Sequence, residues 1–428
     1  MLAFSSVGFS QNLQSKELNE KDKKELIAEI STLLLDNYVY PDSAKKAASL
    51  IQKNVLAGKY KTIKSPIQFA DIVGNDISSV LKDGHFQVQF NPGLGQQLQS
   101  NEVMQQTAIA ARKYSSSAFG IKAVKIINGN IGLLELNAFV DTNAASKLAL
   151  NSALQLLAQS NAIILDLRSN TGGSAAMVHY LCSYFLKTGI HLNTWYSRPS
   201  NSYTKNYTSE ILHSEPFKLK PLYVLCGKGT VSAAEEFCYN LKTLHRATLI
   251  GAPTAGAAHG TFERSVGKDF VVFIPYARTY NTDTNTDWEQ VGVLPDLYVE
   301  NAVALETAEE LIFENLRATV SDSLEKFNIK WQHQILNTIN HPTKIELEQL
   351  RKYIGVFGER TITLENGVLC YKRIGKPKFK MTPMSATKFM ANEYFNIEFV
   401  ENIDGRFDTL IARYQDGRVE TALRTPSK

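Results

Sequence analysis

Apolar residues over the first ninety or so positions recur at helical spacing. In 20–40, Leu26, Ile27, Ile30, Leu33 and Leu34 line one face, and Pro41 ends the run. A second helix fits 42–56. A third opens at Ser65-Pro66, an N-cap followed by proline at the first helical position, and carries Phe69, Ile72, Val73, Ile77, Val80 and Leu81. At Lys82-Asp83-Gly84-His85 the period switches to the alternation of Phe86-Gln87-Val88-Gln89-Phe90, a strand. Strand and helix then alternate: strand over 131–136, amphipathic helix over 143–158, fully buried strand over 162–167, helix over 174–186, strand over 222–226 and a helix-like run from Ser232. Such βαβ alternation predicts an α/β core with parallel strands.

Beyond Glu300 the pattern changes. Helices are predicted over 302–324, 329–339 and 344–354, followed by short alternating runs at 361–364, 368–371, 395–399 and 409–412. Glu365-Asn366-Gly367 and Gln415-Asp416-Gly417 are hairpin signals. The expected organisation is a helical subdomain over 12–84, a catalytic core over 85–300, a helical linker over 301–354 and a small β domain over 355–428.

The chain has 428 residues, 44% hydrophobic and 21% charged, enough for two or three domains. Its net charge of +4 is spread along the length without a basic run interleaved with aromatics, so no nucleic-acid partner is expected. Cys182, Cys226, Cys238 and Cys370 lack the paired spacing of a zinc site and read as core residues. Residues 1–11 read either as the end of a secretory signal, implying a periplasmic or extracellular protein, or as an ordinary frayed terminus of a protein that could equally be cytoplasmic. No later apolar run approaches the ~20 residues of a transmembrane helix.

The candidate chemistry centres on Ser232, in Thr230-Val231-Ser232-Ala233-Ala234-Glu235. A hydroxyl at a strand-to-helix turn is exposed beside the free amides of the new helix, which suits a nucleophile with an oxyanion site. Ser232-x-x-Glu235 is also a capping box, which would give the serine a purely structural task. His85 stands where the third helix meets a strand, with Gly84 available to take positive φ and aim the imidazole; a turn residue is the alternative. Gly172-Gly173, after the apolar strand, can present a bare amide to a ligand or form a plain tight turn. Asp166 and Arg168 would hold that loop.

In order along the chain, Leu165-Asp166-Leu167-Arg168-Ser169-Asn170-Thr171-Gly172-Gly173, Thr230-Val231-Ser232-Ala233-Ala234-Glu235, Gly251-Ala252-Pro253-Thr254-Ala255-Gly256 and Gly292-Val293-Leu294-Pro295-Asp296 resemble the tail-specific, C-terminal processing serine peptidases. The likeness runs from about Glu20 to Glu300 and is greatest for the branch that includes tricorn core proteases and the interphotoreceptor retinoid-binding protein modules. It implies a core similar to crotonase and the Clp protease, with oxyanion amides from Ala233 and from Gly172 or Gly173. Processing peptidases place a lysine base where this chain has Ala257, so the resemblance to the tricorn-like branch implies instead His85 as base and Glu289 as its support. In that branch a serine precedes the histidine, whereas Gly84 stands here. Without the resemblance, Glu289 would read as a surface carboxylate near Asp283 and Asp287.

His259, in Ala257-Ala258-His259-Gly260, competes as an alternative base or pocket residue. The segment 86–130 is short for the PDZ domain that processing peptidases commonly carry, so capture of a substrate's terminal carboxylate is not expected. The resulting expectation is a serine endopeptidase acting on a peptide or protein through an acyl-enzyme, without metal or organic cofactor. Two alternatives use the same cleft: a binding protein for lipid or peptide that lacks the reaction, and crotonase-like acyl-CoA chemistry.

Overall fold

The computed structural model describes residues 17–99 and 118–426, so the reading of residues 1–11 lies outside it, as does part of the 86–130 segment. The three N-terminal helices form as the spacing predicts: α1 Glu20–Asn37, α2 Pro41–Leu56 and α3 Pro66–Leu81. Asn19 caps α1, accepting from Asp22 N–H, and Ser65 caps α3, accepting from Gln68 N–H.

Among the described residues eleven strands follow before residue 300: β1 Gln87–Phe90, β2 Ile121–Ile127, β3 Ile131–Leu136, β4 Ala162–Asp166, β5 His191–Ser197, β6 Ser202–Tyr207, β7 Leu222–Cys226, β8 Thr248–Gly251, β9 His259–Val266, β10 Phe270–Tyr280 and β11 Leu297–Tyr298. They make two sheets. One has the order β11-β8-β7-β4-β3-β2, and its β4, β7, β8 and β11 run parallel. In the other, β10 pairs antiparallel with β1, β5 and β9, and β6 follows β5. The parallel sheet is wrapped by helices that include Ala144–Leu156, Ala175–Phe185 and Ala233–Thr243, and β4 and β7 are buried at every position, as expected of parallel strands covered on both faces.

The helical subdomain packs on the antiparallel sheet: Leu26, Ile30, Phe69 and Ile77 share a core with Val88, Val266, Phe270, Val272 and Ile274. Ile30, Phe69 and Ile77 are wholly buried. Each such side chain contributes about 1.5–3 kcal/mol, which fixes α3 and the Asp83–His85 junction at its end.

By contacts the chain divides into two compact units. Of the described residues, one comprises those within 17–125, 133–159 and 163–302; the other comprises 126–132, 160–162 and 303–426. The second holds helices Ala304–Thr319 and Ser323–Asn340 and two antiparallel sheets, with a core built on Tyr353, Phe357, Phe389, Phe399 and Leu410.

Candidate active site

Ser232 stands at the turn between β7 and the helix Ala233–Thr243 with φ 55° and ψ −119°, a conformation that costs an L-residue energy and persists only where its surroundings hold it. They do so from three sides. Thr230 Oγ1 donates to Leu167 O at 2.8 Å and accepts from Gly227 N–H at 3.0 Å, and Val231 N–H donates to Asn170 O at 3.0 Å. Ser232 N–H donates to Glu235 Oε2 at 2.8 Å. Ser232 and Glu235 form the capping box that the spacing suggested, and Glu235 N–H also donates to the Ser232 carbonyl at 2.8 Å.

The Gly172-Gly173 turn packs directly against this serine. Both glycines have positive φ, 93° and 133°. A Cβ on Gly172 would lie 2.7 Å from Val231 O and 2.9 Å from Ser232 Cβ, so no larger residue fits. Gly172 N–H is engaged by Asn170 Oδ1 at 2.9 Å. Among the described residues the N–H groups of Gly173 and Ala233 have no partner. Asp166 and Arg168 hold the loop as expected, Arg168 Nε and Nη2 donating to the carboxylate at 2.9 and 2.6 Å.

A second cluster gathers the ionisable groups. Asp83, His85 and Glu289 each place a side-chain N or O within 4.8 Å of the other two, so the structure brings the Asp83–His85 junction together with the distant Glu289; they are also the one such set among the described residues that could hold a cation. Asp83 is the hub. Its Oδ1 accepts from His85 N–H at 2.9 Å, fixing the turn, and its Oδ2 accepts from the Tyr38 hydroxyl at 3.1 Å and lies 2.6 Å from His259 Nδ1. His259 Nδ1 is also 3.5 Å from Glu289 Oε2, which accepts from Ala258 N–H at 2.7 Å. Glu289 is not a surface carboxylate: its side chain is 7% exposed. His85 Nδ1, Glu289 Oε1 and His259 Nε2 are buried and unpartnered.

One expectation needs correcting. Gly84 does not take positive φ; the left-handed residue is Lys82, at φ 52°, whose N–H closes α3 on Ser78 O. The hydrogen bond that His85 N–H donates to Asp83 Oδ1, rather than glycine geometry, sets the path into His85.

The cluster separates the two imidazoles electrostatically. Burial lowers the His85 pKa by more than the charge of Asp83 raises it, and the nearby His259 lowers it further. Burial also works against protonation of His259, but the hydrogen bond and charge of Asp83, then Glu289 and Asp287, raise its pKa overall. Burial alone would raise Asp83, yet its bonds to His259 and His85 hold it below the usual carboxylate range. Burial pushes Glu289 up to about 7.

The two halves of the site meet through the loop 254–259. Glu235 Oε2 accepts both Ser232 N–H, at 2.8 Å, and Ala257 N–H, at 2.9 Å, while the next amide along, Ala258, binds Glu289. No hydrogen bond joins the Ser232 hydroxyl to either imidazole. Sequence reasoning missed Asp83 and Glu235 as site residues; their signals were the Asp-Gly-His junction and the acidic third helical position after Ser232.

A helix-bound serine beside a glycine turn, on an α/β core with helices before it, defines the class as a peptidase-like fold. Residues 130–299 match the model of peptidase family S41. Carboxyl-terminal-processing peptidase 2 of Arabidopsis thaliana, a chloroplast protein, is 36% identical over 171 residues, 39% of this chain and 31% of that protein. The carboxyl-terminal-processing protease of Synechocystis is 32% identical over 180 residues, 40% of this chain and 38% of that one. The matches thus span about a third of each of these two relatives. A putative peptidase from Parabacteroides merdae shares the fold, with TM-score 0.50 and 18% identity over 70% of this chain and 99% of that one. Among the described residues no helix is long and apolar enough to cross a membrane.

Proposed function

We propose that this protein is a serine endopeptidase acting on peptides or proteins through an acyl-enzyme. Ser232 Oγ attacks the scissile carbonyl carbon, and its proton passes to His85. The tetrahedral oxyanion is held by the N–H groups of Ala233 and Gly173. His85 then gives the proton to the departing amine as the C–N bond breaks, and water repeats the sequence on the ester. Glu289 supports the imidazole from the buried side.

The observation that carries this reading is the strained Ser232, wedged against Gly172 with unpartnered amides on either side. His85 suits the base better than His259. Its imidazole is 18% exposed while Nδ1 is buried among carboxylates, which leaves Nε2 on the open side. The lowered pKa keeps it neutral and able to accept a proton at pH 7. His259 is 1% exposed and committed through Nδ1 to Asp83.

The test is labelling with a fluorophosphonate followed by peptide mapping. The adduct is expected on Ser232, and Ser232→Ala abolishes both adduct and turnover. A folded wild-type protein that forms no adduct would instead be a binding protein on this fold.

A further inference from the structure

The mechanism leaves a deeply buried polar contact of the site without a task. Asp83 Oδ2 and His259 Nδ1 lie 2.6 Å apart, with both side chains 1% exposed, and no reacting group needs to touch either. The pair joins three stretches of chain. Asp83 follows α3 and binds Tyr38 just after α1, and His259 opens β9 two residues beyond the loop bonded to Glu235. The edge of the Tyr40 ring packs against His259 with centroids 5.4 Å apart. Each partner of the pair also contacts one member of the proposed base system: Asp83 Oδ1 binds His85 N–H, and His259 faces Glu289 at 3.5 Å.

We propose that Asp83 and His259 form a positioning pair, which clamps the helical subdomain to β9 and thereby fixes His85 relative to Glu289 and to Ser232. The inference rests on the serine hydrolase reading. His259 makes its contact through Nδ1 alone, and in an asparagine side chain Nδ2 occupies nearly the same place. Asparagine therefore keeps the donor to Asp83 and removes every atom at the Nε2 position. Misplacing a catalytic group by about 1 Å costs on the order of 100-fold in rate.

The experiment compares His259→Ala with His259→Asn, both checked for folding by thermal melts, using the rate of fluorophosphonate labelling at Ser232 across pH. Expected are a loss of about 100-fold in His259→Ala and retention within about tenfold in His259→Asn, in line with that sensitivity to placement. The acid limb survives in His259→Asn but moves upward, because the positive neighbour that lowers the His85 pKa is gone. Equal inactivity of two folded variants would show that His259 itself takes the proton and would overturn the inference, as would near wild-type rates in His259→Ala. In a Ser232→Ala background the His85 imidazole resonance reports on the pair without turnover. Its titration is displaced from about 6.5, the free-imidazole value, in the background chain and in His259→Asn, and collapses to that value in His259→Ala. A His85 titration in His259→Ala that matches the one in His259→Asn, which loses the same charge, overturns the pair even if no adduct forms, whereas absence of an adduct in wild-type protein overturns only the hydrolase reading.

Discussion

Ser232 N–H donates to Glu235 Oε2 at 2.8 Å, and the same carboxylate accepts Ala257 N–H at 2.9 Å, Gly256 N–H at 2.6 Å and Thr254 Oγ1–H at 2.5 Å. Glu235 is fully buried, so all four donors depend on it. Glu235→Ala would leave them unpaired in a dry site, where each orphaned group costs about 1–3 kcal/mol. We expect a stability loss of at least about 3 kcal/mol in urea denaturation. Labelling of Ser232 falls by about 100-fold in whatever protein remains folded, since the nucleophile and the 254–259 loop lose their common anchor. Glu235→Gln, which accepts through one oxygen only, falls between wild type and Glu235→Ala on both measures.

The elements of this site were legible in the sequence because each is local. The apolar run 222–226 and the serine after it became β7 and a helix start, and Phe69, Ile77 and Leu81 correctly marked the buried face of α3. What the sequence could not show is pairing across distance: Asp83 and His259 are 176 residues apart, and nothing local in either tells of the other. The fate of Glu289 was hidden for the same reason. Its neighbours in sequence, Asp283 and Asp287, suggest a solvated acidic loop, and only packing against Ala258 and His259 buries it. The left-handed turn at Lys82 was missed because glycine is the usual occupant of such positions, and Gly84 stood two residues away.

Substituting Gly172 tests whether the glycine turn and the serine act as one unit. A methyl group there meets Val231 O at 2.7 Å and Ser232 Cβ at 2.9 Å, on a residue whose φ of 93° already disfavours any side chain. Backbone strain of this kind costs about 1–3 kcal/mol. Because the clash is with the serine itself, the larger effect falls on reaction: labelling of Ser232 and peptide turnover in Gly172→Ala should drop by about 100- to 1,000-fold, as when an oxyanion donor is removed. Near-normal labelling would mean that the turn is not the neighbour of the reacting serine.

The pH dependence of kcat/KM should show an acid limb with its midpoint below about 6.5, the ordinary imidazole value. Activity rises with pH through the lowered pKa of His85, because the base must be neutral. A second, shallower rise is expected at about 7, where Glu289 ionises and becomes a better acceptor for the imidazole N–H. Glu289→Gln removes that second step and lowers the plateau while leaving the first. A single rise only in alkali would point to a different base.

The Asp83–His259 pair also makes stability depend on pH in a definite direction. Unfolded, the two groups titrate near about 3.9 and about 6.5. Folded, Asp83 lies below its ordinary value and His259 above. Their mutual stabilisation is therefore complete between about 3.9 and 6.5; it is lost as pH rises through the raised imidazole pKa and again as pH falls through the lowered carboxyl pKa. His259→Asn retains a neutral hydrogen bond to Asp83, so the difference in unfolding free energy from wild type isolates the charge contribution. Glu289 and His85 titrate in both proteins, and the difference also carries the shifts that a charged His259 imposes on them. Chemical denaturation between pH 4 and 9 should give wild type an advantage on the order of 1–2 kcal/mol near pH 5–6, shrinking steadily toward pH 9. An advantage that grows with pH would require His259 to be neutral in the folded protein, with Asp83 buried as an unpaired charge.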